Sequence, residues 1–261
     1  MPDTTTILHP AVDRPLERVG LGARFAGRFV AQLPALGMHL RELGRQCFAV
    51  GVRTLPLITL TGFITGMVFT QQSRPSLAAF GAVSWLPSLI LVALIRSLAP
   101  LVTALVAAGK IGSSIGAELG SMRVTEQIEA MEVSAIDPFK FLVVTRTAAI
   151  TLMMPVLTCY FGLLGAIGSF VNVHANEGTT PTGFLYTGFE TIDALDIGSA
   201  FFRALVFGLM IGLISCYAGF HAGRGTVGVG RAANAAVVRS MLAVFLSEVF
   251  IVQIIALLKG A

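Results

Sequence analysis

The sequence predicts an all-α integral membrane protein: an N-terminal amphipathic interfacial helix, five transmembrane helices, and a short helix between spans two and three. Three observations carry that prediction. Only 12% of the 261 residues are charged while 55% are hydrophobic, against about 25% charged residues in a soluble domain. The mean hydropathy is +0.82. The apolar residues also gather into five stretches that approach or exceed the roughly 20 residues needed to cross a bilayer. A disordered chain, a collagen-like repeat and a disulfide scaffold are excluded, because the chain is apolar, its 28 glycines follow no fixed period and it has 3 cysteines. Cys47, Cys159 and Cys216 lie in apolar surroundings without CxxC spacing and read as reduced, buried thiols. Four scattered histidines suggest no metal cluster.

Each span follows from its uncharged run. The first lies between Arg53 and Arg74, the second from about Leu86 to Ala108 with Arg96 inside it. The third, from about Phe141 to Val171, contains Pro155, which predicts a kink. The fourth runs from about Ser199 to Phe220 with Arg203 near one end, and the fifth from about Ser240 to Leu258 with Glu248 near its middle. An odd number of spans puts the termini on opposite sides.

Lys and Arg accumulate on the cytoplasmic side of short loops. Seven arginines precede the first span: Arg14, Arg18, Arg24, Arg28, Arg41, Arg45 and Arg53. Lys110, Arg123, Lys140 and Arg146 lie between spans two and three, and Arg224, Arg231 and Arg239 between spans four and five. The opposite side holds Arg74 and Lys259, and its loop from about 172 to 197 carries Glu177, Glu190, Asp193 and Asp196 without a cation. The N-terminus is therefore expected in the cytoplasm and the C-terminus outside. The first 50 residues lack the continuous apolar core of a signal peptide. Leu16, Val19, Phe25, Phe29, Leu33, Leu36, Leu40 and Leu43 instead recur at roughly helical spacing among arginines, which predicts a basic helix lying in the headgroup layer, bent at Pro34. Two parts result: residues 1–53 as cytoplasmic N-terminus and interfacial helix, and 54–261 as one membrane domain of five helices.

No GxxxxGK[ST] motif occurs, so the chain has no P-loop. Gly223, Gly225 and Gly228 spell GxGxxG, but they follow an apolar helix rather than a strand and read as a flexible turn. No nucleophile–base arrangement stands out, so catalysis by this chain is not expected. Gly112, Gly116 and Gly120 recur every fourth residue, as do Gly62 and Gly66, and Gly208 and Gly212. Small residues at this spacing let helix backbones approach closely.

Within the cytoplasmic segment at about 110–140, Val124, Ile128 and Met131 form a stripe at i, i+4, i+7, with Glu126, Glu129 and Glu132 largely off it. That describes a short amphipathic helix, and Asp137–Pro138 reads as the N-cap and first residue of the next. Such a helix is either a solvated loop helix or a docking knob for a cytosolic partner. Arg96 and Glu248 sit near the midpoints of their spans, where a charge costs at least about 2.5–3.5 kcal/mol and needs a partner or a wet cavity. They are expected to pair, or to line one polar-floored cavity.

The run from Arg96 to Phe141, RSLAPLVTALVAAGKIGSSIGAELGSMRVTEQIEAMEVSAIDPFKF, resembles the signature of MlaE/YrbE-type permeases, the membrane subunits of ABC transporters that work with MCE-domain proteins. GFITGMVFTQQ (Gly62 to Gln72) and GVGRAANAAVV (Gly228 to Val238) resemble two further blocks of that family, in the same order. The resemblance implies a homodimeric permease in the bacterial inner membrane, bound to two cytosolic ATPase subunits that carry ATP and Mg, with no cofactor in this chain and no nucleic-acid partner. It assigns Met122, Arg123, Thr125, Glu126, Gln127, Glu129, Ala130 and Met131 to ATPase coupling, and so decides for docking. It implies a lipid substrate, mostly phospholipid, in a cavity where two copies meet, with an MCE-domain protein on the outer side. Phe63, Met67, Phe69, Gln71, Arg96, Val244 and Glu248 are the residues implied to line that cavity. The family usually has Arg-Glu-Leu-Gly-Pro where this chain has Arg96-Ser97-Leu98-Ala99-Pro100; the missing glutamate removes one neighbour of Arg96. The rival readings are a secondary transporter using Arg96 and Glu248 as an ion or proton site, and a membrane scaffold that moves nothing.

Overall fold

In a computed structural model of the chain, residues 10–260 are described. They form α1 (Pro10–Gln32), α2 (Leu40–Ala79), α3 (Val83–Val124), α4 (Gln127–Val133), α5 (Phe139–Glu177), α6 (Pro181–Phe189), α7 (Ala194–Phe220) and α8 (Gly225–Gly260). Five of these are long and apolar enough to cross a membrane, in the expected order. The helices outrun the expected spans, however. The 40 residues of α2 and the 42 of α3 would extend about 60 Å, twice the hydrocarbon thickness. Charged residues end a hydropathy run but do not end a helix. Thus Lys110 and Glu118, expected in a loop, lie on α3, which continues to Val124.

The bundle is built outward from α5, which packs along α2 on one side and α7 on the other. The second half of α3 wedges between α7 and α8, while its first turns carry α6. Glycine makes these approaches possible. A methyl at Gly116 would sit 2.9 Å from Ala236 Cβ and 3.1 Å from the Ala232 carbonyl. A methyl at Gly212 would lie 2.9 Å from Thr147 Cα. At Gly66 it would collide with the Gly165 backbone. The four-residue glycine spacing is therefore the imprint of backbone contact.

One end of the bundle gathers α4, the α7–α8 turn and part of α1. There Phe25 packs edge-on against Phe139 (centroids 4.9 Å) and Tyr217 (5.3 Å), and Arg28 stands 4.3 Å above the Phe139 ring. Part of the apolar stripe expected to meet lipid is thus spent on protein: Phe25 and Phe29 are buried, while Leu21, Val30 and Leu33 are exposed. The side chains of Leu16 and Val19, and residues 1–9, lie outside the described part. The bend expected at Pro34 is a 3₁₀ stretch, Leu33–His39. Asp137 caps α5, its Oδ1 accepting from the Phe139 (3.0 Å) and Lys140 (3.4 Å) amides.

At the other end Arg74 on α2 bridges to Glu177 on α5 at 2.7 Å. The stretch expected there as a loop at 172–197 is mostly helix. Glu177 ends α5, Thr180 caps α6 by accepting from the Gly183 amide at 3.2 Å, and Asp193 precedes α7. Of the cysteines expected to be buried, only Cys216 is; Cys47 is half-buried and Cys159 exposed on α5. An apolar neighbourhood in a membrane helix is as compatible with a lipid-facing side chain as with a core one.

Candidate functional site

Two arrangements are candidates for function, one within the bundle and one at its α4 end. The first is a chain of four charges. Arg96 Nε donates to Asp196 Oδ1 at 3.0 Å. Arg203 Nη1 donates to Glu248 Oε1 at 2.8 Å and to the backbone carbonyl of Arg96, also at 2.8 Å. The local sequence explains why that carbonyl is free. The helical partner of residue 96 would be the amide of residue 100, and Pro100 has none. Over Leu94–Leu98 the backbone widens to i→i+5 bonding, with the Ala99 amide reaching the Leu94 carbonyl; such π-bulges cluster at functional sites. Arg203 fills the vacancy from α7.

The expected pairing of Arg96 with Glu248 is therefore corrected: each has a different partner, and Arg203 stands between them. Equal depth read from hydropathy does not fix which helix faces intervene. Asp196, expected as an outer-loop acid, is buried at the third position of α7. Arg203 follows Asp196 by seven residues, two helical turns, so both leave the same face of α7. That i, i+7 spacing was the signal in the sequence for a charged face. A separate pair, Arg146 Nη2 to Glu118 Oε1 at 2.7 Å, ties α5 to α3 lower in the bundle.

The residues implied to line a cavity do not come together in one chain. Val244 is fully buried, on the face of α8 that packs inward. Within one chain, a side chain with no accessible surface lines no open cavity. Phe69 packs into the core cluster around Ile58 and Phe161. Phe63, Met67 and Gln71 recur every fourth residue along α2, with Met67 and Gln71 exposed. Meanwhile α2 and α8 lie at different edges of the bundle without extensive mutual contact. The apolar groove between α3, α5, α6 and α7, about 470 Å³ and bordered by Ile95, Cys159, Leu163, Phe184 and Phe201, includes none of the expected residues. Arg96 borders a different groove, with Trp85 and Leu89.

The second arrangement is α4. It starts where Glu126 takes a left-handed conformation (φ 57°), a sharp break that turns the chain out of α3. Ile128 is fully buried beneath it, and Met122 and Met131 pack against the same core. Arg123 clamps the helix through Glu129 at 2.6 Å. The Ile136 amide closes the far end on the Met131 carbonyl at 3.0 Å. Of the residues assigned to coupling, Arg123, Thr125, Glu126, Gln127 and Ala130 are exposed, whereas Met122, Glu129 and Met131 are turned partly into the permease. Outside the assigned set, Val133 is 90% exposed, the opposite of what an apolar residue in a small amphipathic helix suggests, and lies beside Glu132, which is also exposed.

Comparison with known proteins bears on both arrangements. Residues 43–254 match the Permease MlaE family. The chain is 32% identical over 239 residues to a "Probable ABC transporter permease protein" of Rickettsia typhi, covering 92% of each chain. It is 37% identical over 214 residues to a protein of the same description from Synechocystis, covering 82% of this chain and 81% of that one. A third, from Porphyra purpurea, is 34% identical over 210 residues, covering 80% of each. The matched region takes in α2 to α8, including the four-charge chain and α4. The chain belongs to the MlaE permease family, and the relatives it matches are described as probable ABC transporter permeases.

Proposed function

We propose that this chain moves lipid, mainly phospholipid, as one of two identical permease subunits driven by cytosolic ATPases, in exchange with an MCE-domain protein. The observation that carries the coupling is α4. It is a two-turn helix anchored by buried Ile128 and clamped by Arg123, with Thr125, Glu126, Gln127, Ala130 and Val133 turned outward. A rigid knob of this kind transmits a push along α3 and α5, which it joins. ATP and Mg belong to the partner, and no step of hydrolysis is assigned to this chain.

The sidedness of the basic residues supports a cytoplasmic α4 end and N-terminus and an external C-terminus in a bacterial inner membrane. The exposed apolar faces of α2 (Leu60, Ile64, Met67) and α8 (Leu246, Val249, Phe250) support a second copy, because a cavity lined by both helices then forms between chains. On the outer side Glu177 and Asp196 are committed to Arg74 and Arg96, which leaves exposed Glu190 as an acid for an MCE partner. Burying long acyl chains at about 0.8 kcal/mol per CH₂ makes unaided extraction slow, hence the need for ATP.

The test is pull-down of the tagged chain from its host in mild detergent. Wild type should bring down a P-loop ATPase at near one-to-one stoichiometry. The Glu126→Lys/Gln127→Glu variant should retain less than a tenth of it while eluting at the same size. Full ATPase recovery with that variant would refute docking through α4.

A further inference from the structure

The α4 end of the bundle holds a charged feature that coupling does not use. Arg224, Arg231 and Arg239 are exposed, and none of them is in an ion pair among the described residues. Nor is a carboxylate near them in the chain, because no Asp or Glu occurs between Asp196 and Glu248. Arg231, Ala235 and Arg239 recur every fourth residue, so the two arginines leave one face of α8. Arg224 comes from the tight turn before it, where Gly225 takes φ +77° and Gly228 rests on the Gly223 carbonyl. The three arginines border a cleft of about 410 Å³ whose far wall is Tyr217 of α7 and His221 just after it.

That cleft continues into a second space. A chamber of about 500 Å³ between α1 and α7 is lined by Gly22, Phe25, Leu213 and Ile214, and shares Tyr217, His221 and Arg239 with the cleft. Arg239 therefore lines both spaces, with Arg224 and Arg231 beside it in the cleft, and none of the three has an acidic partner among the described residues; the adjoining space is mostly apolar and bounded on one side by α1. An apolar ligand alone would leave the arginines without a counter-ion, and a small anion alone would leave the chamber unfilled. An amphiphile with an anionic head satisfies both.

We infer that the cleft between α1, α7 and α8 binds an anionic phospholipid of the adjoining leaflet, with phosphate among Arg224, Arg231 and Arg239 and an acyl chain in the chamber beneath α1. The site lies at the end opposite Arg96 and Asp196 and is separate from any transport cavity between copies. It holds whether or not α4 docks an ATPase. Basic residues beside an anionic lipid surface contribute on the order of fivefold in affinity each.

Native mass spectrometry of the purified full chain, titrated with dioleoyl phosphatidylglycerol, dioleoyl phosphatidylcholine or soluble glycerol phosphate, tests this. Phosphatidylglycerol should be retained in preference to phosphatidylcholine. Arg231→Gln/Arg239→Gln should weaken it on the order of 25-fold, whereas Arg231→Lys/Arg239→Lys should keep most of it. Gly22→Trp, which fills the chamber, should weaken the lipid without changing glycerol phosphate. Equal retention of the two lipids, or an unchanged adduct in the Gln variant, overturns the inference. Glycerol phosphate binding as tightly as the lipid also overturns it, in favour of a soluble phosphate ligand. Both exposed arginines can be replaced without touching the core, and gel filtration of each variant checks the fold.

Discussion

Arg203→Met should be the most destabilising single change in the charged chain, costing about 3–5 kcal/mol. Arg203 is nearly fully buried and gives one nitrogen to two acceptors, Glu248 Oε1 and the Arg96 carbonyl. Removing it strands a carboxylate in low dielectric and reopens the carbonyl that Pro100 leaves unpaired. Glu248→Met strands the guanidinium instead, although the Arg96 carbonyl still accepts from it, so the loss is smaller. The double variant Arg203→Met/Glu248→Met removes both charges and should recover a large part of the loss, because a buried ion pair gains little over a well-packed apolar pair. Denaturant titration in mixed micelles gives the double-mutant cycle. Additive losses in the double variant would contradict a buried pair.

Gly66→Leu should also be damaging, through packing rather than charge. The most extensive helix contact in the molecule is that of α2 with α5, and it is closed by Gly66 against Gly165 and by Gly168 against the Phe63 carbonyl. Ser169 Oγ then reaches both the Gly66 (3.1 Å) and Gly165 (2.8 Å) carbonyls. Any side chain at 66 drives the backbones apart and breaks that bridge, with a loss of at least about 1–3 kcal/mol from overpacking. Gly44, also in α2, has no neighbour within 4 Å of the place a methyl would take, so Gly44→Ala should be neutral or stabilising by up to about 1 kcal/mol. Thermal unfolding of the two variants side by side separates packing from propensity. Equal melting temperatures would mean that α2 and α5 do not meet at Gly66.

The number and order of spans were legible because hydropathy reports the solvent directly, and the glycine spacing was legible because it reports backbone contact. Helix ends were not legible. Hydrogen bonding carries α3 past Lys110 and Glu118, whose charges end the apolar run but cost little on a helix leaving the membrane. The short α6 was hidden by its two glycines, although Thr180–Pro181 is a proper start signal for it. Arg96 and Glu248 were matched by depth, yet partner choice depends on which faces of α3, α7 and α8 meet, and that lies in three-dimensional packing. In α4 the stripe of Ile128 and Met131 located the helix, by its buried side. The outward side is read only from exposure, which is how Val133 emerges.

The central claim is that α4 meets the ATPase. Its most direct test is a cross-link from Val133→Cys, made in a chain whose Cys47, Cys159 and Cys216 are replaced by Ala and co-expressed with the host's ATPase. A short bifunctional cysteine reagent should join permease and ATPase through position 133. Tyr186→Cys, exposed on α6 at the other end, should give no such product. A cross-link from position 186 and none from position 133 would contradict the account and put the energy-supplying partner at the wrong end of the bundle.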